Sequence, residues 1–343
     1  MKTIALCVVA VATFAIVVPS VISAQSKTKT GPIAGQTLIL PKADTALIRT
    51  HLTAITKTVG YRNYQNVKLL DQVAAYIRDV FGRYADTVFY QLFQVQGKTY
   101  RNVVCRFGTH IDKPVMVVGA HYDVCGDQQG ADDNASGVVG LLELARILKD
   151  VPLTRPVELV AYTLEEPPFF STPNMGSAVH AQSLKAARRE IYGMAALEMI
   201  GYFDDAKSSQ GYPVKAMKIV YGTRGNYILL VKRMGYGEFV KRFSAHFDDA
   251  ETVVGYASGR DSVSVSAPVV VRNLKAPAKI GGIDFSDHLN YWNEGYDALM
   301  VTNTAFFRNK NYHQPTDTIE TLDIPRMAQV IDRVARALVN VDR

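Results

Sequence analysis

Residues 115–148 read VMVVGAHYDVCGDQQGADDNASGVVGLLELARIL. An apolar run ends at His121 and Asp123, a loop carries Asp127, Asp132 and Asp133, and an apolar segment of helical period follows. Later, VELVAYTL (157–164) leads straight into Glu165 and Glu166, and MAALEMI (194–200) carries Glu198 near its end. ALMVTNT (298–304) precedes FFRNKNYHQPTDT, which holds His313. Carboxylates crowded together repel one another unless a cation offsets the charge. Imidazole nitrogens mixed with carboxylate oxygens suit zinc, with cobalt or manganese as substitutes. One catalytic zinc needs three protein ligands, whereas at least five candidates gather here. Two ions about 3.5–4 Å apart, sharing a bridging carboxylate, would use them all. Such a pair polarises a carbonyl and brings water from a pKa of ~15.7 towards neutrality. The Glu165-Glu166 doublet then offers a ligand and a base side by side.

The same four apolar runs read as strands, and the stretches between them define the architecture. TVFYQLFQV (87–95) and NVVCRF (102–107) add β-branched and aromatic strands. Helical periodicity falls at 44–82, 136–149, 176–190 and 323–341. Short apolar strands alternating with helices predict a single α/β domain over 41–343, with a mixed, largely parallel sheet flanked by helices. In such a sheet ligands gather beyond the carboxyl ends of the strands, where the His, Asp and Glu residues above all fall.

Composition sets the outer bounds. The 343 residues are 48% hydrophobic and 20% charged, as in a globular protein with a large core. The net charge of +6 is spread without Lys/Arg runs, which argues against nucleic-acid binding. Lys2, an apolar centre and small residues ending at Ala24 have the order of a secretory signal, with 25–40 a lead-in. This predicts export to the periplasm or the exterior and no membrane attachment after cleavage. An uncleaved anchor is the competing reading of the same segment. Cys105 and Cys125 allow one bridge, but nothing in the spacing demands it and two buried free thiols are the simpler reading, while the absence of C-x-x-C excludes a thiolate zinc framework.

The segments GAHYDV, GADDNASGV, EE, EMIGY, SDH and YHQPTDT, in that order, resemble the M28 family of zinc peptidases. The resemblance extends over roughly residues 115–325 and implies a zinc-dependent exopeptidase fold acting on peptide or aminoacyl substrates. It implies His121 and Glu198 on one zinc, Glu166 and His313 on the other, and Asp133 bridging both. Glu165 matches the general base, Asp123 the acid that orients His121, and Tyr312 a tyrosine that hydrogen-bonds the oxyanion. It also implies a cis peptide bond at Asp133–Asn134.

Three other readings fit part of the pattern. A glutaminyl cyclase shares the motifs but uses one zinc and not the first histidine. A carboxypeptidase or dipeptidase needs a cation for the substrate carboxylate, and Arg308 is the nearest. An inactive metal-binding protein has no use for Glu165 as a spare base. Asp132 is expected to bond the loop backbone, Asp287-His288 to form a polar network beside the site, and His51, His110, His180 and His246 to be structural. Oligomeric state and side-chain preference are not legible at this level.

Overall fold

A computed structural model describes residues 39–108, 110, 112–249, 267–277, 280 and 282–343. The signal reading (1–24) and nearly all of the lead-in lie outside these residues. The described residues form one compact unit. No helix among the described residues is long and apolar enough to cross a membrane.

The helical stretch at 44–82 is two helices, α1 (Thr45–Thr56) and α2 (Val67–Phe81). Each has its own start signal. The Asp44 carboxylate accepts from the amides of Ala46 and Leu47 (2.8 and 3.1 Å), and Asn66 accepts from Leu69 (3.3 Å). After them come β1 (Thr87–Val95), β2 (Lys98–Phe107), β3 (Val115–His121), α3 (Gly137–Leu148), β4 (Val157–Tyr162), α4 (Gly176–Ala186) and β5 (Ile191–Glu198). The chain continues through α5 (Met217–Tyr221), β6 (Tyr227–Arg233), α6 (Glu238–Asp248), β7 (Val270–Ala276), α7 (His288–Asn293), β8 (Ala298–Thr302) and α8 (Ile324–Asp342).

The eight strands form one sheet in the order β1-β2-β4-β3-β5-β8-β6-β7. The central run β4-β3-β5-β8 is parallel throughout, while the pairs β1/β2, β2/β4 and β6/β8 are antiparallel. Every residue of β3, β4 and β8 is buried, as expected of strands covered on both faces. Each fully buried Val, Leu or Ile there contributes about 1.5–3 kcal/mol. Gly137 opens α3 where an added Cβ would lie 2.6 Å from the Leu197 carbonyl and 3.0 Å from Ala120. Its lack of a side chain lets the helix start press against β3 and β5.

Three strands stop short of their apolar runs, and the backbone supplies the reason. Leu164, Met199 and Thr304 have φ of 61°, 51° and 82°, left-handed values that end an extended strand. The strands therefore close at Tyr162, Glu198 and Thr302, so Glu165 and Glu166 sit on a turn. Likewise α4 ends at Ala186 and not at 190, with Arg188 left-handed at φ 51°. Before α3, residues Ala131–Ser136 form a π-helical turn that Asp133 and Asn134 interrupt with non-helical dihedrals.

Arg62, between α1 and α2, is 2% exposed and donates to the carbonyls of Tyr122 (2.7 Å), Gln129 and Gly130 (2.6 Å). It fastens both ends of the loop between β3 and the π-helical turn. Arg62→Met should leave these acceptors unpaired, costing about 2–5 kcal/mol and lowering the melting midpoint by about 5–10 °C. Arg62→Lys should recover only part, because an ammonium lacks the planar fork. A melt unchanged in both variants contradicts this role.

Candidate metal centre

The residues singled out from the sequence converge at the carboxyl edge of β4-β3-β5-β8. His121 is the last residue of β3 and pairs across the sheet with Tyr162, while Glu198 ends β5 opposite Thr302. Asp133 comes from the π-helical turn, Glu165 and Glu166 from the turn after β4, and His313 from the turn after β8. Left-handed backbone flanks or includes three of these positions, at Leu164, Met199 and His313 (φ 55°). The peptide bond Asp133–Asn134 is cis, as the family resemblance implies.

The His121 Nε2 atom lies 3.4 Å from Asp133 Oδ1, 3.5 Å from Glu198 Oε2 and 3.8 Å from Glu165 Oε2. His313 Nε2 lies 3.2 Å from Asp133 Oδ2 and 3.1 Å from Glu166 Oε2. Asp133 thus turns one oxygen to each histidine. His121 Nδ1 faces the Asp123 carbonyl at 3.2 Å; since a carbonyl only accepts, Nδ1 carries a proton and Nε2 is the nitrogen that faces the cluster. Asp133 Oδ2, Glu166 Oε1 and His313 Nε2 are buried yet have no hydrogen-bond partner. Unpaired buried polar atoms cost roughly 1–3 kcal/mol each, so this donor set fits a cation well. Donor atoms of His121, Asp133 and Glu166 lie within 4.8 Å of one another, as do those of His121, Glu165 and Glu198.

Burial pushes Glu165 well above the usual carboxylate range, with Glu166 and Glu198 adding to it and His121 opposing. Burial, then Asp133, pushes Glu166 up to about 8, and burial also raises Glu198. Burial opposes charging of His313, but Asp133 and Glu166 outweigh it and push that ring up to about 10. His121 is raised well above its usual value against the same opposing burial, by Glu165 and Glu198. Asp133 alone is held low: burial disfavours its charge, and the two histidines that face it overcome that. Four carboxyl groups thus face two imidazoles, and without a cation most of them are driven to hold their protons.

A second layer holds this arrangement, and sequence reasoning foresees only part of it. The Asp123 carboxylate stands 3.7 Å from His121 Nδ1 and accepts instead from the amides of Glu165 and Glu166, both at 3.2 Å. Its carbonyl orients the ring, while its carboxylate positions the acidic doublet. Asp132 bonds backbone as expected, accepting from Gly201 and Tyr202 (2.9 and 3.2 Å), and also from the Asn303 and Asn309 side chains (2.7 and 2.8 Å). Asp317, unassigned from the sequence, accepts from the amides of Asp132 and Asp133 (2.9 and 3.0 Å). Its signal was an acid in the His313 motif with no ligand to be. Asn134 ties the π-helical turn to β5, donating to Leu197 and accepting from Met199 (2.8 and 3.0 Å), and Ser286 donates to Glu198 at 2.8 Å.

Other expectations divide. His288 Nε2 donates to the Ile283 carbonyl at 2.7 Å, so the histidine of the Asp287-His288 pair serves its own turn. Asp287 is buried and raised to about 7 by burial, with His121 opposing. Arg308 is buried; its Nε donates to Gln210 (2.9 Å) and its guanidinium to the Tyr227 carbonyl (2.7 Å), a structural clamp unlike a carboxylate receptor. His51 bonds Tyr76, and His180 bonds Tyr291 beside Glu158, as structural histidines do. Cys105 and Cys125 are free thiols. Tyr312 stacks on His313 at 3.8 Å between ring centroids, and burial keeps its phenol protonated. Beside Glu198 opens an apolar hollow of about 910 Å³ including its mouth, with Met217, Tyr227, Leu229, Ile283, Met300 and Phe306 in its walls.

The profile of peptidase family M28 matches residues 102–338. The uncharacterized protein YfbL of Escherichia coli is 43% identical over 295 residues, covering 83% of this chain and 85% of its own. Among solved structures, the LapA aminopeptidase of Legionella pneumophila superposes with a TM-score of 0.63 at 18% identity, over 87% of this chain and 71% of that one. A Bacteroides thetaiotaomicron glutaminyl cyclase bound to N-acetylhistamine gives 0.61 at 16%, over 88% and 99%. These two likenesses concern the fold alone; it is the match across 102–338, with the 43% identity, that makes this chain a member of peptidase family M28.

Proposed function

We propose that this M28 protein is an exported aminopeptidase that removes N-terminal residues with the aid of two zinc ions. The observation that carries this reading is Asp133, whose two oxygens face two different histidines at 3.4 and 3.2 Å. His121 and Glu198 would hold one ion, Glu166 and His313 the other, and Asp133 both. When bound, the ions would supply Lewis acidity and lower the pKa of water. Glu165 is the base: it takes a proton from the attacking water and returns it to the departing amine. Burial and the neighbouring acids raise its affinity for that proton. Tyr312, kept protonated, has a hydroxyl to donate to the oxygen that gains charge.

The choice among rivals rests on chemistry, since the same fold serves aminopeptidases and cyclases. His121 turns its Nε2 atom into the cluster beside Glu198, with Nδ1 engaged by a carbonyl, which favours two ions over the one-zinc cyclase. Arg308 is buried, with Nε and one Nη atom engaged by Gln210 and Tyr227, which disfavours a carboxypeptidase. Acids suited to a free amine, beside an apolar hollow for a side chain, favour an aminopeptidase. Export rests on the order of charge, apolar centre and small residues in 1–24.

Glu165→Gln should keep both metals and the fold but lose ~10²–10⁴ in kcat, about 3–5.5 kcal/mol of barrier, with KM little changed. Glu166→Gln should lose metal along with activity. Turnover of aminoacyl chromogenic amides with parallel metal analysis separates the two. Near-normal kcat in a metal-loaded Glu165→Gln protein rules Glu165 out as the base.

The chelated protein should lose stability as pH rises. Glu166 and His313 both have folded pKa values above their unfolded ones, about 8 against 4.5 and about 10 against 6.5. Their contribution is complete below the unfolded values and is lost as pH climbs through the folded ones. Zinc reverses the trend, because ligands bind it in deprotonated form. Melting in EDTA should therefore occur lower at about pH 8.5 than at about pH 5.5. Zinc should raise the midpoint most at the higher pH, and a metal-free protein that gains stability with pH contradicts the account.

A further inference from the structure

One potential donor stands at the rim of the cluster outside the nitrogen and oxygen set assigned above. Cys125 lies on the loop after β3, and its Sγ, a Glu166 oxygen and a His313 nitrogen are all within 4.8 Å of one another. Glu166 in this group is 4% exposed, and its Oε1 has no hydrogen-bond partner. The loop holds the thiol in place from both sides. Asp123, two residues before, binds the amides of Glu165 and Glu166, and the buried Val124 donates its amide to the Arg62 carbonyl at 3.2 Å. One residue after, the Gly126 carbonyl accepts from Asn63 at 3.0 Å.

We infer that Cys125 is a protein ligand of the metal ion held by Glu166 and His313, binding through its thiolate. The inference rests on the two-metal reading of the centre. When the sulfur–metal bond forms, the S–H bond breaks and its proton passes to solvent; no electron is transferred. A bound cation makes this favourable, since a coordinating thiol is deprotonated outright. With Asp133, Glu166 and His313 the thiolate completes a four-donor set of mixed hard and soft character, within zinc's repertoire. It also adds a negative charge to this ion alone. The ion that His121 and Glu198 would hold would then be the stronger Lewis acid of the two. Cys105, buried in β2, supplies an internal control.

X-ray absorption at the zinc edge on the zinc-loaded full chain tests this directly. Wild type and Cys105→Ser should contain a sulfur scatterer at about 2.3 Å, beyond the nitrogen and oxygen shell near 2.0–2.1 Å. Cys125→Ser and Cys125→Ala should lack it and bind one of their zinc ions at least ~10-fold more weakly in chelator competition. Zinc protection of Cys125 from alkylation, read by mass spectrometry against the unloaded protein, should accompany the sulfur shell. If zinc binds with nitrogen and oxygen scatterers only and the Cys125 variants match wild type, the inference is overturned while the metal centre stands. If no zinc binds at all, the reading beneath it fails and the inference falls with it.

Discussion

The structure is organised around four buried carboxyl groups that cannot all ionise against two histidines without a further cation. The acids fall into two layers with different solutions. Asp123, Asp132 and Asp317 are satisfied by backbone amides, two each, and Asp132 further by two asparagines. Asp133, Glu165, Glu166 and Glu198 gather on two histidines, and oxygens of Asp133 and Glu166 stay unpaired. Leaving such atoms buried and orphaned is costly unless something with positive charge takes them. The outer layer exists to hold the inner one in a geometry it would not adopt by itself.

That geometry depends on the parallel centre of the sheet. Four neighbouring strands running the same way deliver their last residues to one edge, in register through His121 beside Tyr162 and Glu198 beside Thr302. Left-handed residues at Leu164 and Met199 then turn the chain sharply, so that the carboxylates point inward across the edge. Arg62 and Asp317 act from outside the sheet, one on carbonyls and the other on amides of the segment that carries Asp133. The apolar hollow beside Glu198 arises where β6, β8 and the loops around them meet the same edge.

Much of this is legible in the sequence because it is local. The α/β class, the parallel centre and the strand runs follow from apolar periodicity, and the inner donors stand where those runs stop. What escapes are interactions that link distant segments. Arg62 reads as one basic residue in a polar stretch, and only the fold brings it to Gly130, 68 residues away. Asp317 and Ser286 lie within quoted motifs, yet nothing in their neighbours tells of their partners, the amides of Asp132 and Asp133 and the Glu198 carboxylate. Asp123 fits its motif, yet its carboxylate serves the amides after β4, a pairing set by the β3–β4 register. Apolar periodicity runs past the strand ends because residues such as Leu164 and Met199 do not advertise left-handed backbone.

The measurement that bears most directly on the two-ion account is anomalous diffraction at the zinc edge from crystals of the zinc-loaded protein. The account predicts two peaks about 3.5–4 Å apart, on either side of the Asp133 carboxylate, one against His121 and Glu198 and the other against Glu166 and His313. A single peak at full zinc loading, or peaks that leave Asp133 without an ion on each oxygen, would contradict it.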